Sequence, residues 1–82
     1  MLVRVLYFAA VRDLTALEEE SLELPSSVRT VEDFARFLTE RYPALAPRLS
    51  SIRFARNEVF ASLKEGLCVG DTLAVIPPVA GG

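Results

Sequence analysis

The chain has 82 residues, 51% of them hydrophobic, with 9 Lys+Arg against 11 Asp+Glu, a formal net charge of −2 and no histidine. That length makes one domain, residues 1–82, which buries only about 60% of its unfolded surface; so apolar a composition predicts either efficient packing or apolar surface left for a partner. The acidic balance gives nucleic-acid binding no support, and the single cysteine, Cys68, excludes an internal disulfide framework and suits a reducing compartment. With no charged-then-apolar leader and no apolar run of membrane-spanning length, a cytoplasmic location is expected.

Leu2 to Phe8 is apolar on both faces except for Arg4, which predicts a central strand covered on each side. Ala9 to Thr15 suits one or two helical turns. Glu18, Glu19 and Glu20 read as the solvated rim of a turn or strand edge, and Ser21 to Leu24 alternates as a half-exposed strand hairpinned with the first. Thr30 opens the clearest helix, with Asp33 at the third helical position as its capping partner. Val31, Phe34, Ala35, Phe37, Leu38 and Tyr42 fall within roughly 160° of arc at 100° per residue. Arg41 is the charge inside that arc, its stem expected to snorkel at the edge. Pro43 stops the helix at Tyr42, and Ala44 to Leu49 reads as a turn or 3₁₀ segment. Ile52 to Arg56 alternates as a strand. Asn57-Glu58 is a turn candidate, Val59 to Ala61 a short strand, and Ser62 to Leu67 a loop around Gly66. Gly70-Asp71 turns the chain into a last apolar strand, Thr72 to Ile76.

This order predicts an α+β fold: a mixed sheet of about five strands with one main helix packed on one face. The first and last strands, the most apolar, belong together at the centre. A right-handed helical crossover makes them parallel, which is the β-grasp (ubiquitin-like) arrangement.

Past the last strand stand Pro77, Pro78, Val79, Ala80, Gly81 and Gly82. Proline cannot continue a central ladder, and a Pro-Pro pair holds the chain near polyproline II geometry. Residues 77–82 are therefore expected to form an extended tail reaching at most roughly 20 Å, with a flexible Gly-Gly tip and a terminal carboxylate. A carboxylate becomes an acyl donor once activated, for example as an acyl-adenylate, and a glycine end suits the narrow channel of an activating partner.

Several segments carry a family resemblance. They are Val3 to Ala10 followed by Arg12; Thr30 to Asp33 leading to Leu38 and Arg41-Tyr42-Pro43; Ala55 to Glu58; and, most specific, Gly70 through Gly82. Over nearly its whole length the chain resembles the small, sulfur-carrying subunits of molybdopterin synthase. Ala80 stands where the family often has serine, and Ser62 to Val69 matches poorly. The resemblance implies that a ubiquitin-activating-like adenylyltransferase adenylates Gly82 with ATP. A sulfur donor enzyme then converts it to a thiocarboxylate. The tail, Pro77 to Gly81, inserts into the large synthase subunit of a heterotetramer, and sulfur passes to a cyclic pyranopterin precursor to make the dithiolene of the molybdenum cofactor.

The residues agree that the acid–base chemistry belongs to partners, because histidine is absent. No phosphate-binding loop or metal-ligand spacing occurs, so ATP is bound by the activating partner and no metal or other cofactor is expected. Phe8, Phe60 and Ile76 are candidates for a partner-docking surface on the sheet face that one helix leaves open, against an ordinary role in the core. Cys68, beside Leu67 and Val69, reads as core filling rather than a sulfur relay. Asp71 reads as a turn residue. Arg4 and Arg56 read as solvated charges, against pairing with a partner's acids or with Glu18, Glu19 and Glu20. Two alternatives stand beside the leading reading: another ubiquitin-like sulfur carrier, serving thiamine synthesis, tRNA thiolation or protein conjugation, and a non-covalent interaction module with an inert tail.

Overall fold

The computed structural model describes residues 1–78. Five strands form one mixed sheet in the order β2-β1-β5-β3-β4, with β1 at Leu2–Tyr7, β2 at Glu19–Glu23, β3 at Arg53–Arg56, β4 at Val59–Ala61 and β5 at Thr72–Ile76. Helix α1 spans Ala9–Thr15 and α2 spans Val31–Arg41, followed by a 3₁₀ segment at Pro43–Ser51. β1 and β5 are parallel, with Val5 opposite Leu73 and Tyr7 opposite Val75. β2 pairs antiparallel with β1, and β3 antiparallel with both β5 and β4. This is the β-grasp topology, with the first and last strands side by side.

The sheet has one packed face. Val3, Val5, Tyr7, Phe54, Leu73 and Val75 alternate onto it and meet Val31, Phe34, Ala35 and Leu38 of α2. Phe34 is completely buried and stands edge-on to Phe54 at a centroid separation of 6.0 Å. The opposite face, expected to cover β1 as well, is open: Leu2 and Arg4 are exposed and Leu6 is half-buried. The period of two sends alternate residues to opposite faces, and no element among the described residues packs over the second face.

Helix α2 begins with the expected capping box. Thr30 Oγ1 accepts from Asp33 N at 3.2 Å, while Asp33 Oδ2 accepts from Thr30 N at 3.2 Å. A further bond from the Arg29 backbone N–H, together with that from Thr30, holds the Asp33 carboxyl below the usual range. The next two N–H groups of the helix, from Val31 and Glu32, donate to carbonyls of Glu65 and Leu63. The loop after β4, whose sequence carries no regular pattern, thus satisfies the open donors of the helix end.

The acidic cluster is more than a solvated rim. Glu20 accepts from Tyr7 Oη at 2.6 Å and from Tyr42 Oη at 2.5 Å, and pairs with Arg41 at 3.3 Å. It ties β1, β2 and the end of α2 together. Burial, then the hydrogen bond to Glu20, pushes both tyrosine hydroxyls above their ordinary pKa. Arg41 does sit at the edge of the helix face, over the Tyr42 ring at 5.6 Å. Arg4 pairs with Glu19, as the reading that joined it to the acidic cluster had it.

Candidate functional site: the root of the tail and the open sheet face

β5 is held on both sides, by β1 as far as Val75 and by β3 as far as Ile76. On the β1 side the last ladder bond is from Phe8 N, which donates to Val75 O at 3.2 Å. Pro77 is half-buried and Pro78 exposed, so the chain leaves the body at a corner between α1 and the 3₁₀ segment. Ala10 from α1, Arg48 from the 3₁₀ segment, Pro77 and Pro78 together line two grooves at this corner. Val79, Ala80, Gly81 and Gly82, the remainder of the expected tail and its reactive end, lie outside the described residues.

The three candidate docking residues come together on the open face. In the register, Leu6 of β1, Ala74 of β5, Ala55 of β3 and Phe60 of β4 form one row across four strands. The two alanines make its middle low, and Leu6, Phe8, Phe60 and Ile76 stand around it. The result is a shallow apolar trough of about 500 Å³. Phe60 is 57% exposed and Phe8 42%. Two large aromatics in water on one concave face are what a partner surface would cover. Arg53, opposite Ile76 in register, lies over the Phe60 ring at 4.2 Å. None of the three therefore belongs to the packed core.

Asp71 has a larger role than its place in a turn indicates. It is buried, and its Oδ2 accepts from Arg56 Nε at 2.7 Å and from the Cys68 backbone N–H at 2.7 Å. Its Oδ1 accepts from Asn57 Nδ2 at 2.9 Å, and Asn57 Oδ1 accepts from Thr72 N at 2.9 Å. Burial alone would raise the Asp71 carboxyl, but the bonds from Arg56, Cys68 and Asn57 outweigh it and hold it below the ordinary range. Arg56 therefore pairs with Asp71, and with Glu65 at 3.4 Å, rather than with the acidic cluster. Gly70 supplies the positive φ of 85° that lets the turn close around this carboxylate. The lock fixes where β5 begins, at the end of the strand remote from the tail. Cys68 contributes its backbone to this lock while its thiol side is exposed, so it is not core filling. Its neighbour Leu67 takes the buried position.

Among the described residues no group of three His, Cys, Asp or Glu side chains is placed to hold a metal ion. No helix there is long and apolar enough to cross a membrane.

Residues 5–82 match the ThiS family. The chain is 35% identical over 83 residues to the molybdopterin synthase sulfur carrier subunit of Homo sapiens, covering 98% of this chain and 93% of that one. To the protein of the same description from Chlamydomonas reinhardtii it is 36% identical over 84 residues, covering 100% of each. Among solved structures, the small archaeal modifier protein SAMP1 from Haloferax volcanii matches with a TM-score of 0.85 at 28% identity, over 100% of both chains. The chain belongs to the ThiS family, within its group of molybdopterin synthase sulfur carrier subunits.

Proposed function

We propose that the chain carries sulfur on the carboxylate of Gly82 and hands it over inside a partner. A ubiquitin-activating-like adenylyltransferase joins that carboxylate to the AMP moiety of ATP and releases pyrophosphate. Sulfur from a donor enzyme displaces AMP by nucleophilic acyl substitution and leaves a thiocarboxylate. The slender arm from Pro77 to Gly81 then enters the large subunit of molybdopterin synthase. There the thiocarboxylate gives its sulfur to a cyclic pyranopterin precursor, towards the dithiolene, and water adding at the acyl carbon supplies the oxygen of the carboxylate that returns. The partners supply nucleotide binding and proton transfer, so the domain is not catalytic alone. The assembly is a heterotetramer with small subunits at its ends, and the work is cytoplasmic.

The observation that carries this reading is the position of β5. The strand that runs into Pro77 and Pro78 is central in the sheet, so tension on the tail loads two ladders of hydrogen bonds rather than a fraying edge. The open face beside that exit, with Phe8, Phe60 and Ile76 around its trough, is the surface we assign to partner docking. The test is intact-mass measurement after incubation with ATP, an adenylyltransferase of this class and a sulfur source. A gain of about 16 Da, oxygen exchanged for sulfur at the acyl carbon, is expected. An unchanged mass with active partners would refute it. A second reading, conjugation of the same carboxylate to a protein, draws on the likeness to SAMP1. A mass increase on a target protein, in place of sulfur on the pterin precursor, would favour it.

A further inference from the structure

We infer that Arg48, seconded by Arg53, forms a cationic rim at the root of the tail that engages carboxylates around the mouth of the channel receiving it. The inference rests on the sulfur-carrier reading and adds to it the chemistry of the partner's rim.

The charges of the body are unevenly settled. Arg4, Arg12, Arg36, Arg41 and Arg56 each pair with a carboxylate. Three of the acids they use, Glu18, Glu19 and Glu20, lie at or just before the outer strand β2. Arg29, Arg48, Arg53 and Lys64 have no carboxylate within ion-pair distance among the described residues, although the chain has 11 acids against 9 bases, and of these four it is Arg48 and Arg53 that stand at the tail exit. Arg48 is exposed, and among the described residues it is the one ionisable side chain that lines, with Pro77 and Pro78, the two grooves at the tail root. Arg53 stands beside the same exit, opposite Ile76 in register, with its guanidinium stacked on Phe60. Arg48 thus borders the tail root, and Arg53 meets the edge of the apolar trough through Phe60 and Ile76.

Their distance from the reactive end fixes what they do. Gly82 lies four residues beyond Pro78, a span of up to about 14 Å when extended. A guanidinium at the root therefore does not stabilise charge on the acyl carbon of an inserted tail. It meets whatever surrounds the opening through which the tail has passed. Guanidinium selects planar anions, and on a protein rim these are aspartate and glutamate carboxylates. Solvated charges at such a rim act mainly on the association rate and on which partner is accepted.

The test is stopped-flow association of the full-length chain with the large subunit of molybdopterin synthase across a salt series. R48E is expected to slow association by about 10-fold at low salt and to flatten the salt dependence, while dissociation changes little. R48K, which keeps the charge, should restore most of the rate, and R48Q should fall between. R48E associating at the wild-type rate with the wild-type salt slope overturns the inference and leaves the sulfur-carrier reading standing. Wild-type chain that fails to bind the large subunit at all overturns both. Melting curves accompany each variant; should R48E unfold, R48Q against R48K carries the same comparison.

Discussion

Replacing Asp71 by asparagine removes one charge and turns one oxygen into a donor while keeping the shape. If the amide oxygen stays where Arg56 Nε and Cys68 N donate, at 2.7 Å each, the new NH₂ faces Asn57 Nδ2 where Oδ1 had accepted at 2.9 Å. Two donors then meet. Asn57 cannot relieve this by turning its own amide, because its Oδ1 is taken by Thr72 N. If the introduced amide turns instead, the donors of Arg56 and Cys68 lose their acceptor. Loss of the charge on the Arg56 bond costs about 1 kcal/mol, and one partly buried donor left without an acceptor costs about 1–2 more. The expected loss is therefore about 2–3 kcal/mol, or roughly 10–20 °C in melting temperature for a domain this small. Urea unfolding monitored by far-UV circular dichroism measures it. The pH dependence checks the cause. Asp71 titrates below its unfolded value of about 3.9, so its contribution is fully present above that value and is lost as pH falls through the lower folded pKa. The difference between wild type and D71N should accordingly shrink in acid. A D71N protein within about 0.5 kcal/mol of wild type at pH 7, or a difference that stays constant into acid, would refute the account.

Glu58 has φ 72° beside Asn57 at 51° in the two-residue β3–β4 turn, where glycine is preferred in the second place; Glu58→Gly should stabilise by about 0.5–1 kcal/mol in the same unfolding assay. Glu20→Ala leaves the buried hydroxyl of Tyr7 without its acceptor, and a loss of about 2 kcal/mol is expected by calorimetry. Phe60→Ala, at an exposed position on the open face, should change stability by less than about 0.5 kcal/mol yet weaken titration-calorimetry binding to the large subunit by about 10-fold or more. Deleting Gly82 should leave the melting temperature unchanged and abolish the mass gain on activation; sulfur loading that survives the deletion would place the acyl group elsewhere.

The elements were legible because they obey local rules. Thr30 and Asp33 mark the start of α2 by their own chemistry, and the capping box forms as written. The central pairing of β1 with β5 follows from their apolar content and from the crossover. What local rules do not reach is pairing between residues distant in sequence. Glu20 stands in a run of three acids and looks solvated, yet its partners are 13 and 22 residues away in the chain. Asp71 looks like a turn former because the turn is local, whereas Arg56, which it holds, is 15 residues back. Cys68 is apolar by type and sits beside apolar neighbours, but the turn that brings its N–H to Asp71 puts its side chain outside. Leu2 and Leu6 misled for a different reason. Their hydrophobicity correctly marks a surface to be covered, and periodicity does not say by what.

That last point bears on how the body works. Ala55 and Ala74 sit in the middle of the open face, and such small residues leave room there without filling it. Leucines at these positions would flatten the trough and add apolar surface. The alanines instead leave a depression bordered by Phe8, Phe60 and Ile76, a shape that a partner's projecting side chain can fill. The trough and the tail exit adjoin at Ile76, which borders both. A partner that covers the trough therefore has the root of the tail directed at its own surface. On the docking proposed above, insertion of the tail would accompany the covering of the trough, and the entropy of ordering the arm would be offset by the apolar area buried beside it.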